Sequence, residues 1–433
     1  MPFEPLRGFR DYLPPDAGAR SKIRERLRAA ARRAGFQELE APTVESLELY
    51  RVKSGEGIGQ EVWGFTDKGG REVALVPEST PSIARIFVAR AKSEPLPVKW
   101  FTVSKSWRYE EPQSGRTREF TQFNLDLLGV PGLEAETELL ATAALLLDSA
   151  GAEGHYLFRL NDRDLAEGLG RGLGATDPTR FFRALDRSRK ESPAWLAEEL
   201  TALGVAPEAG ATLSELLELG RAGVGPAEAP AYLDRLAALG LPDPAPAGID
   251  RLRRLGSLLH RAGVADRVRL DLSIVRGLAY YTGPVFEAFD RSGGERSLLG
   301  GGRYDRLIEL FGGEPTPACG LALGDQTLEL LLRAHGRWPE GEPALDTYVV
   351  AVTQDEGPLA IEWVGRLRRA GRSADCDLMG RSLSRQLKEA ARRRARRAIL
   401  LGPRELARGV LLERDLATGA QRERAPEEVL AGE

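Results

Sequence analysis

"WRYEEPQSGRTREFTQFNLD", residues 107–126, is the stretch from which the fold can be read. Its second half alternates. Phe120, Gln122, Asn124 and Asp126 fall on one side of an extended chain, and Thr121, Phe123, Leu125 and Leu127 on the other, because successive strand side chains point to opposite faces. The apolar side is expected to pack on a core. The polar side suits either the wet face of an antiparallel sheet or the floor of a ligand site. The first half is charged. Arg108 and Arg116 can grip phosphates bidentately. Glu110 can accept from an amino group such as that of adenine, and Phe120 can stack on a base. A charged hairpin laced by surface ion pairs, each worth about 0–1 kcal/mol, is the plainer reading of the same residues.

Outward from this hairpin, EVALV (72–76) and VKWFTV (98–103) also read as strands. Residues 16–35 read as a helix, with Asp16 to cap it, Ile23, Leu27 and Ala31 at helical spacing and Gly35 to end it. A short strand, FQELE, and Pro42 follow. Between 160 and 265 the pattern changes to short amphipathic helices broken by Gly and Pro clusters, a helical insertion. Strand patterns return at VRLDLSIV, PVFEAFD and LALG. RWPEGEPALD, 337–346, reads as a linker. Beyond it, strand and helix patterns alternate as in a small α/β domain. "RGLAYYTG", 276–283, puts a cation beside two phenols on pliable chain. It reads either as a surface hairpin or as a holder for a small polar ring next to an anion.

Composition narrows the function classes. The 433 residues allow two or three domains. The net charge of −3 gives no global attraction to nucleic acid, so any such binding must come from local patches. Two distant cysteines, Cys319 and Cys376, exclude a disulfide framework and fit a reducing cytosol. Three scattered histidines argue against a zinc site. The N-terminal MPFEPLRGFRDYLPPD has no apolar run of signal-peptide length. No segment approaches the roughly 20 apolar residues of a membrane span. A cytoplasmic protein is expected.

Residues 107–126 resemble motif 2 of the class II aminoacyl-tRNA synthetases. "RGLAYYTGPVFE", "GGGRYDRL" (300–307) and "PESTPS" (77–82) resemble peptides of the histidyl-tRNA synthetase family. The helix–strand–Pro42 unit resembles motif 1, the dimer interface. Order and spacing agree over nearly the whole chain. The resemblance implies an α+β fold: a class II antiparallel sheet flanked by helices, a helical insertion and a C-terminal α/β anticodon-binding domain. It implies a catalytic domain at 1–160 and 266–336, the insertion at 161–265, the linker at 337–346 and the anticodon-binding domain at 347–433. The implied activity is ATP-dependent activation of L-histidine to histidyl-adenylate and transfer to the 3′ end of tRNA(His). The implied partners are ATP, histidine, tRNA(His), Mg2+ and a second copy of the chain, with no metal held by the protein alone and no membrane.

Roles follow by position. Arg108 would bind the α-phosphate, Glu110 and Phe120 the adenine, and Arg116 the outer phosphates. Glu78, Ser79, Thr80, Gln122 and Asp126 would hold the amino acid. Tyr280 and Tyr281 would line the imidazole pocket. Arg276 would bridge the substrate carboxylate and the α-phosphate, completing the catalytic set with Arg108 and Arg116. The chain departs from the pattern at Ala279, where the family usually has Asp, and in "LVPE" for "LRPE". It also departs at Thr327, where motif 3 normally carries an arginine. The alternative reading is a non-catalytic, histidine-sensing paralogue, the regulatory subunit of ATP phosphoribosyltransferase. That subunit generally lacks the C-terminal domain and has less need of Arg108, Arg116 and Arg276.

Residues 381–397 read as one basic helix, with Arg381, Arg385, Lys388, Arg392, Arg393, Arg394, Arg396 and Arg397 against Glu389. It is either a solvated face or a contact for the tRNA backbone.

Overall fold

The computed structural model describes residues 3–54, 61–275, 280–293, 296–339 and 345–431. Backbone contacts divide the chain into two compact units, residues 1–12 with 20–338 and residues 13–19 with 339–433. The expected linker falls partly outside the described residues, as do Arg276 and Gly277 to Ala279.

The first long helix spans Pro14–Arg33, and β1 (Gln37–Glu38) follows it. β2 (Val44–Ser46), β3 (Gly64–Thr66) and β4 (Glu72–Leu75) form a small sheet in the order β2-β4-β3. β5 (Val98–Trp107), β6 (Glu119–Leu128), β7 (Tyr156–Asp162), β8 (Val268–Leu270), β9 (Pro284–Asp290), β10 (Ser297–Arg303) and β11 (Ala318–Gly324) join β1 in an eight-stranded sheet. Its order is β1-β5-β6-β11-β10-β9-β7-β8. The six central strands are antiparallel to one another. Only the edge pairs β1–β5 and β7–β8 are parallel. This is the α+β class II architecture.

The alternation in β6 sets the layers. Phe123, Leu125 and Leu127 enter the main core with Ile23, Leu27 and Ala31 of the first helix and with the helix Glu134–Ala150. That last helix is apolar nearly all round. Leu139, Leu140, Leu146 and Leu147 are fully buried, each worth about 1.5–3 kcal/mol over an exposed position. On the opposite face, Leu128 and Trp100 join a second cluster with Tyr280, Tyr281 and Tyr304.

The region between β7 and β8 is helical, from Arg163–Gly172 through Pro178–Arg187 and Pro193–Ala202 to Ala245–Arg261. Local chemistry starts these helices. The Asp162, Asp177 and Ser192 side chains accept backbone N–H bonds at three N-termini, which otherwise hold orphan donors.

In the smaller unit β12 (Leu345–Ala351), β13 (Ala374–Cys376), β14 (Ala395–Leu401), β15 (Leu411–Asp415) and β16 (Gln421–Arg424) form a sheet. Its order is β13-β12-β14-β15-β16. The first three strands are parallel and the last two pairings antiparallel. The expected long basic helix is shorter here. It covers Leu383–Arg392, the chain turns at Arg394 with φ 52°, and Ala395 already belongs to β14. Acids from this helix and from other elements neutralise part of the run. Arg393 pairs with Asp375, Arg397 with Glu413 at 3.2 Å, and Arg392 with Glu389. Arg385 and Lys388 stay exposed on the outer face of the helix.

No described helix is long and apolar enough to cross a membrane.

Candidate active site

Over β6, β9, β10 and β11 lies an open cleft of about 670 Å³. Arg108, Glu110, Arg116 and Phe120, the residues expected at a nucleotide, line it together, and Gln122, expected at the amino acid, lines it too. The β5–β6 pairing runs unbroken from Val98↔Leu128 to Trp107↔Glu119, which fixes the loop between them at the cleft mouth. Within that loop Gln113 and Arg116 exchange two backbone hydrogen bonds, 2.9 and 3.0 Å. Gly115 turns the chain there with φ +72°, and a Cβ on it would come within 2.8 Å of Leu330. Arg108 donates from Nε to the Pro77 carbonyl at 3.1 Å and lies 5.4 Å from the centre of the Phe120 ring. The cation lies over the ring, so an anion held by Arg108 and a base against Phe120 would be neighbours. Arg116 is paired with Glu110, Nη2 donating at 3.0 Å.

The amino-acid half of the site continues along the same face of β6. Gln122, Asn124 and Asp126 are all buried, at 7%, 1% and 1% exposure. A wet sheet face is therefore excluded. Gln122 and Asp126 stand about 13 Å apart along the strand, with Asn124 between them. Among the described residues Asn124 Oδ1, Asp126 Oδ2 and Thr102 Oγ1, all buried, find no hydrogen-bond partner. Thr102 is the cross-strand neighbour of Asn124. Each such atom costs roughly 1–3 kcal/mol, a cost that a polar ligand would remove. Ser79 reaches the same place from the loop 77–79, its Oγ 2.6 Å from Ser104 Oγ, and Ser104 is the cross-strand partner of Gln122. Thr80 opens the helix Thr80–Arg90, and Glu78 precedes it.

Tyr280 and Tyr281 are each 7% exposed, their rings 4.9 Å apart, so the surface-hairpin reading of their peptide fails. Tyr280 also meets Tyr304 edge-on at 5.9 Å, and the Tyr304 hydroxyl donates to Asp126 Oδ1. The approach of Tyr281 depends on the glycine-rich β10, since a Cβ on Gly302 would lie 2.9 Å from the Tyr281 ring. Tyr304 belongs to the peptide GGGRYDRL, in which no local pattern marks it as a site residue. Its neighbour Arg303 is instead structural, tied to the Glu136 carboxylate at 2.6 and 2.8 Å.

Burial pushes the Asp126 carboxyl up to about 7, although the Tyr304 hydrogen bond acts in the opposite direction. The folded protein therefore binds this proton over a range where the unfolded chain has released it. The resulting stability is full below the ordinary carboxylate range and is lost as pH rises to about 7. Asp126→Asn is expected to remove that share of the pH dependence, read as denaturation midpoints between pH 4 and 8. A variant with the parent's slope would place the proton elsewhere.

Among the described residues no three His, Cys, Asp or Glu side chains converge as a metal site. Magnesium in nucleotide sites keeps several waters and takes one or two carboxylates beside substrate phosphates. The cleft offers that much, with Glu287 on its floor and Glu110 on its rim.

Comparisons with known proteins place the chain among relatives. The family model described as histidyl-tRNA synthetase matches residues 8–328, and that described as anticodon binding domain matches 346–432. A histidine–tRNA ligase of Thermoplasma volcanium is 38% identical over 422 residues, 97% of this chain and 96% of its own. One of Opitutus terrae is 39% identical over 436 residues, 99% and 97%. The crystal structure of a histidyl-tRNA synthetase from a Nostoc species has a TM-score of 0.85 at 24% identity, covering 100% of this chain and 99% of that one. A Bacillus halodurans protein described as an ATP phosphoribosyltransferase regulatory subunit/histidyl-tRNA synthetase has a TM-score of 0.72 at 24% identity, covering 88% and 95%. At that identity these two likenesses speak for the fold alone.

Proposed function

The chain belongs to the histidyl-tRNA synthetase family, and from that premise we propose how it works. It is a histidine–tRNA ligase, an aminoacyl-tRNA synthetase. The regulatory-paralogue reading is weaker, because curated relatives along the full length are ligases.

The observation that carries the mechanism is one strand face. β6 presents Phe120 and Gln122 to the arginine-lined cleft and continues into the buried Asn124 and Asp126 beneath three tyrosines. ATP would lie in the cleft with its base on Phe120, its amino group toward Glu110, its α-phosphate at Arg108 and its outer phosphates at Arg116. Histidine would lie over Asn124. Glu78, Ser79, Thr80, Gln122 and Asp126 would take its polar groups, and Tyr280 and Tyr281 its ring. In this arrangement the histidine carboxylate meets the α-phosphorus, its oxygen bonds to phosphorus, and pyrophosphate leaves with the bonding pair. An ionised carboxylate needs no general base. It needs alignment and cancellation of charge, which Arg108 and Arg276 supply, although Arg276 lies outside the described residues. Magnesium on the outer phosphates, held by Glu287, would neutralise charge there. A 3′-terminal hydroxyl of tRNA(His) then attacks the adenylate carbonyl and releases AMP.

In this reading residues 1–160 and 266–336 are the catalytic domain, 161–265 an insertion and 347–433 the anticodon-binding domain. The protein is a cytoplasmic homodimer joined through the Pro14–Arg33 helix and the strand after it. The deciding assay is histidine-dependent exchange of labelled pyrophosphate into ATP. Histidine binding with no exchange at any ATP concentration would overturn the synthetase reading.

Arg385 and Lys388 are one helical turn apart on the exposed face of Leu383–Arg392. The double charge reversal Arg385→Glu/Lys388→Glu is expected to weaken tRNA charging and leave pyrophosphate exchange unchanged. The log–log salt slope of tRNA binding should fall by about 0.7–0.9 for each lost phosphate contact. An unaltered slope would put the tRNA on another surface.

A further inference from the structure

The cleft lacks an arginine where motif 3 normally places one, because position 327 is threonine. A different element brings a cation to the same ground. A Cβ built on Gly115 would sit 3.6 Å from Thr327 Cγ2 and 3.4 Å from Arg296 Cδ. Both side chains thus flank the loop that carries Arg116. Thr327 Oγ1 also lies 3.5 Å from the Leu298 carbonyl, so the start of β10 runs directly against position 327. Arg296, one residue before β10, lines the cleft with Arg116. We propose that Arg296 binds the outer phosphates of the nucleotide and takes over the work of the missing motif 3 arginine. The proposal rests on the synthetase reading above.

Charge separates Arg296 from the other cleft cations. Arg116 is already paired with Glu110. Arg189, from the insertion, donates to Asp271 Oδ2 at 3.0 Å and lies 4.3 Å from the Phe289 ring centre. It shares that carboxylate with Arg159, which is closer at 2.6 Å. Lys190 is exposed at the margin. Among the described residues Arg296 has no carboxylate partner. It donates from Nη2 to Gln113 Oε1 at 2.9 Å, and Gln113 is the residue whose backbone brackets Arg116. A guanidinium held by a neutral amide, in a cleft beside a second guanidinium, is arranged for an anion. A side chain reaching in from β10 does what one reaching in from position 327 would do.

The test compares ligands with and without outer phosphates. Parent and Arg296→Ala proteins are titrated calorimetrically with ATP and with AMP, in magnesium, and their Michaelis constants for ATP and histidine are measured by pyrophosphate exchange. Loss of one charge-assisted contact should weaken ATP about 10- to 100-fold, raise its Michaelis constant similarly, and leave AMP and histidine unchanged. Equal ATP affinity in parent and variant overturns the proposal. So does an equal loss for ATP and AMP, which would mark Arg296 as merely structural. If the parent shows no histidine-dependent exchange, the synthetase reading fails, and the calorimetric comparison still decides the role of Arg296.

Discussion

Arg108→Ala lowers histidine-dependent pyrophosphate exchange by about 10²–10³-fold, the usual effect of losing one preorganised donor at a developing charge. Histidine affinity stays near that of the parent, because the amino acid is held farther along β6. The effect is on turnover more than on ATP binding, since ground-state nucleotide keeps Arg116 and the Phe120 face. The size of the effect follows from how firmly Arg108 is placed. Its Nε is tied to the Pro77 carbonyl, its backbone N–H bonds to the Arg118 carbonyl at 3.0 Å, and its guanidinium lies over the Phe120 ring, 5.4 Å from its centre. Reorganisation during reaction is small for a group held this way, which is what gives a fixed dipole its catalytic value. Arg276→Ala is expected to behave alike. Equal losses in histidine binding and in rate would assign Arg108 to substrate affinity and remove it from the α-phosphate.

The layout around β6 was legible because two periodicities coincide there. Phe123, Leu125 and Leu127 alternate with polar residues, and the flanking helix Pro14–Arg33 repeats its apolar residues at helical spacing. The helix Glu134–Ala150 was not read, because it is apolar on nearly every side and shows no contrast for a period to act on. β10 was missed for the opposite reason. Its SLLGGGR has three glycines, which disfavour strands, and the strand exists because β9 and β11 bond it from both sides. The arginine run near 394 looked continuous because arginine is a good helix former. Nothing local marks Arg394 as the place where the chain turns.

The same distinction divides the site. Arg108, Glu110, Arg116, Phe120, Gln122 and Asp126 lie on one hairpin, so sequence order already states their spatial order. Tyr304 and Arg296, at the two ends of β10, and Arg189, between β7 and β8, lie outside that hairpin and reach the site only through sheet pairing and helix packing. The sequence also left open whether the polar side of β6 is wet. That depends on what covers it, and the cover is Tyr280, Tyr281 and Tyr304, supplied by chain more than 150 residues away.

That cover makes discrimination the largest effect expected of the amino-acid half. The parent enzyme should favour histidine over phenylalanine by about 10⁴ or more in kcat/KM for pyrophosphate exchange. A site built to hydrogen-bond a polar ring leaves its own buried groups unpaired when an apolar ring enters. Here the groups are specific. Among the described residues Asn124 Oδ1 and Asp126 Oδ2 find no partner, and Tyr304 satisfies the other Asp126 oxygen. A phenyl ring of similar size would fit the tyrosine walls and strand both atoms. Rejection therefore comes from unmet polarity rather than from volume. It follows that removing polarity should narrow the gap even while pocket shape is kept. Tyr281→Phe changes one hydroxyl and Asp126→Leu exchanges a carboxylate for a branched apolar side chain. Each should cut discrimination by at least about tenfold, the effect of roughly 1.4 kcal/mol, mostly by slowing histidine. Asp126→Leu should also improve phenylalanine in absolute terms, because one buried unpaired oxygen disappears. Were both variants to discriminate as well as the parent, the ring would have to bind away from β6, and the tyrosines would be core residues only.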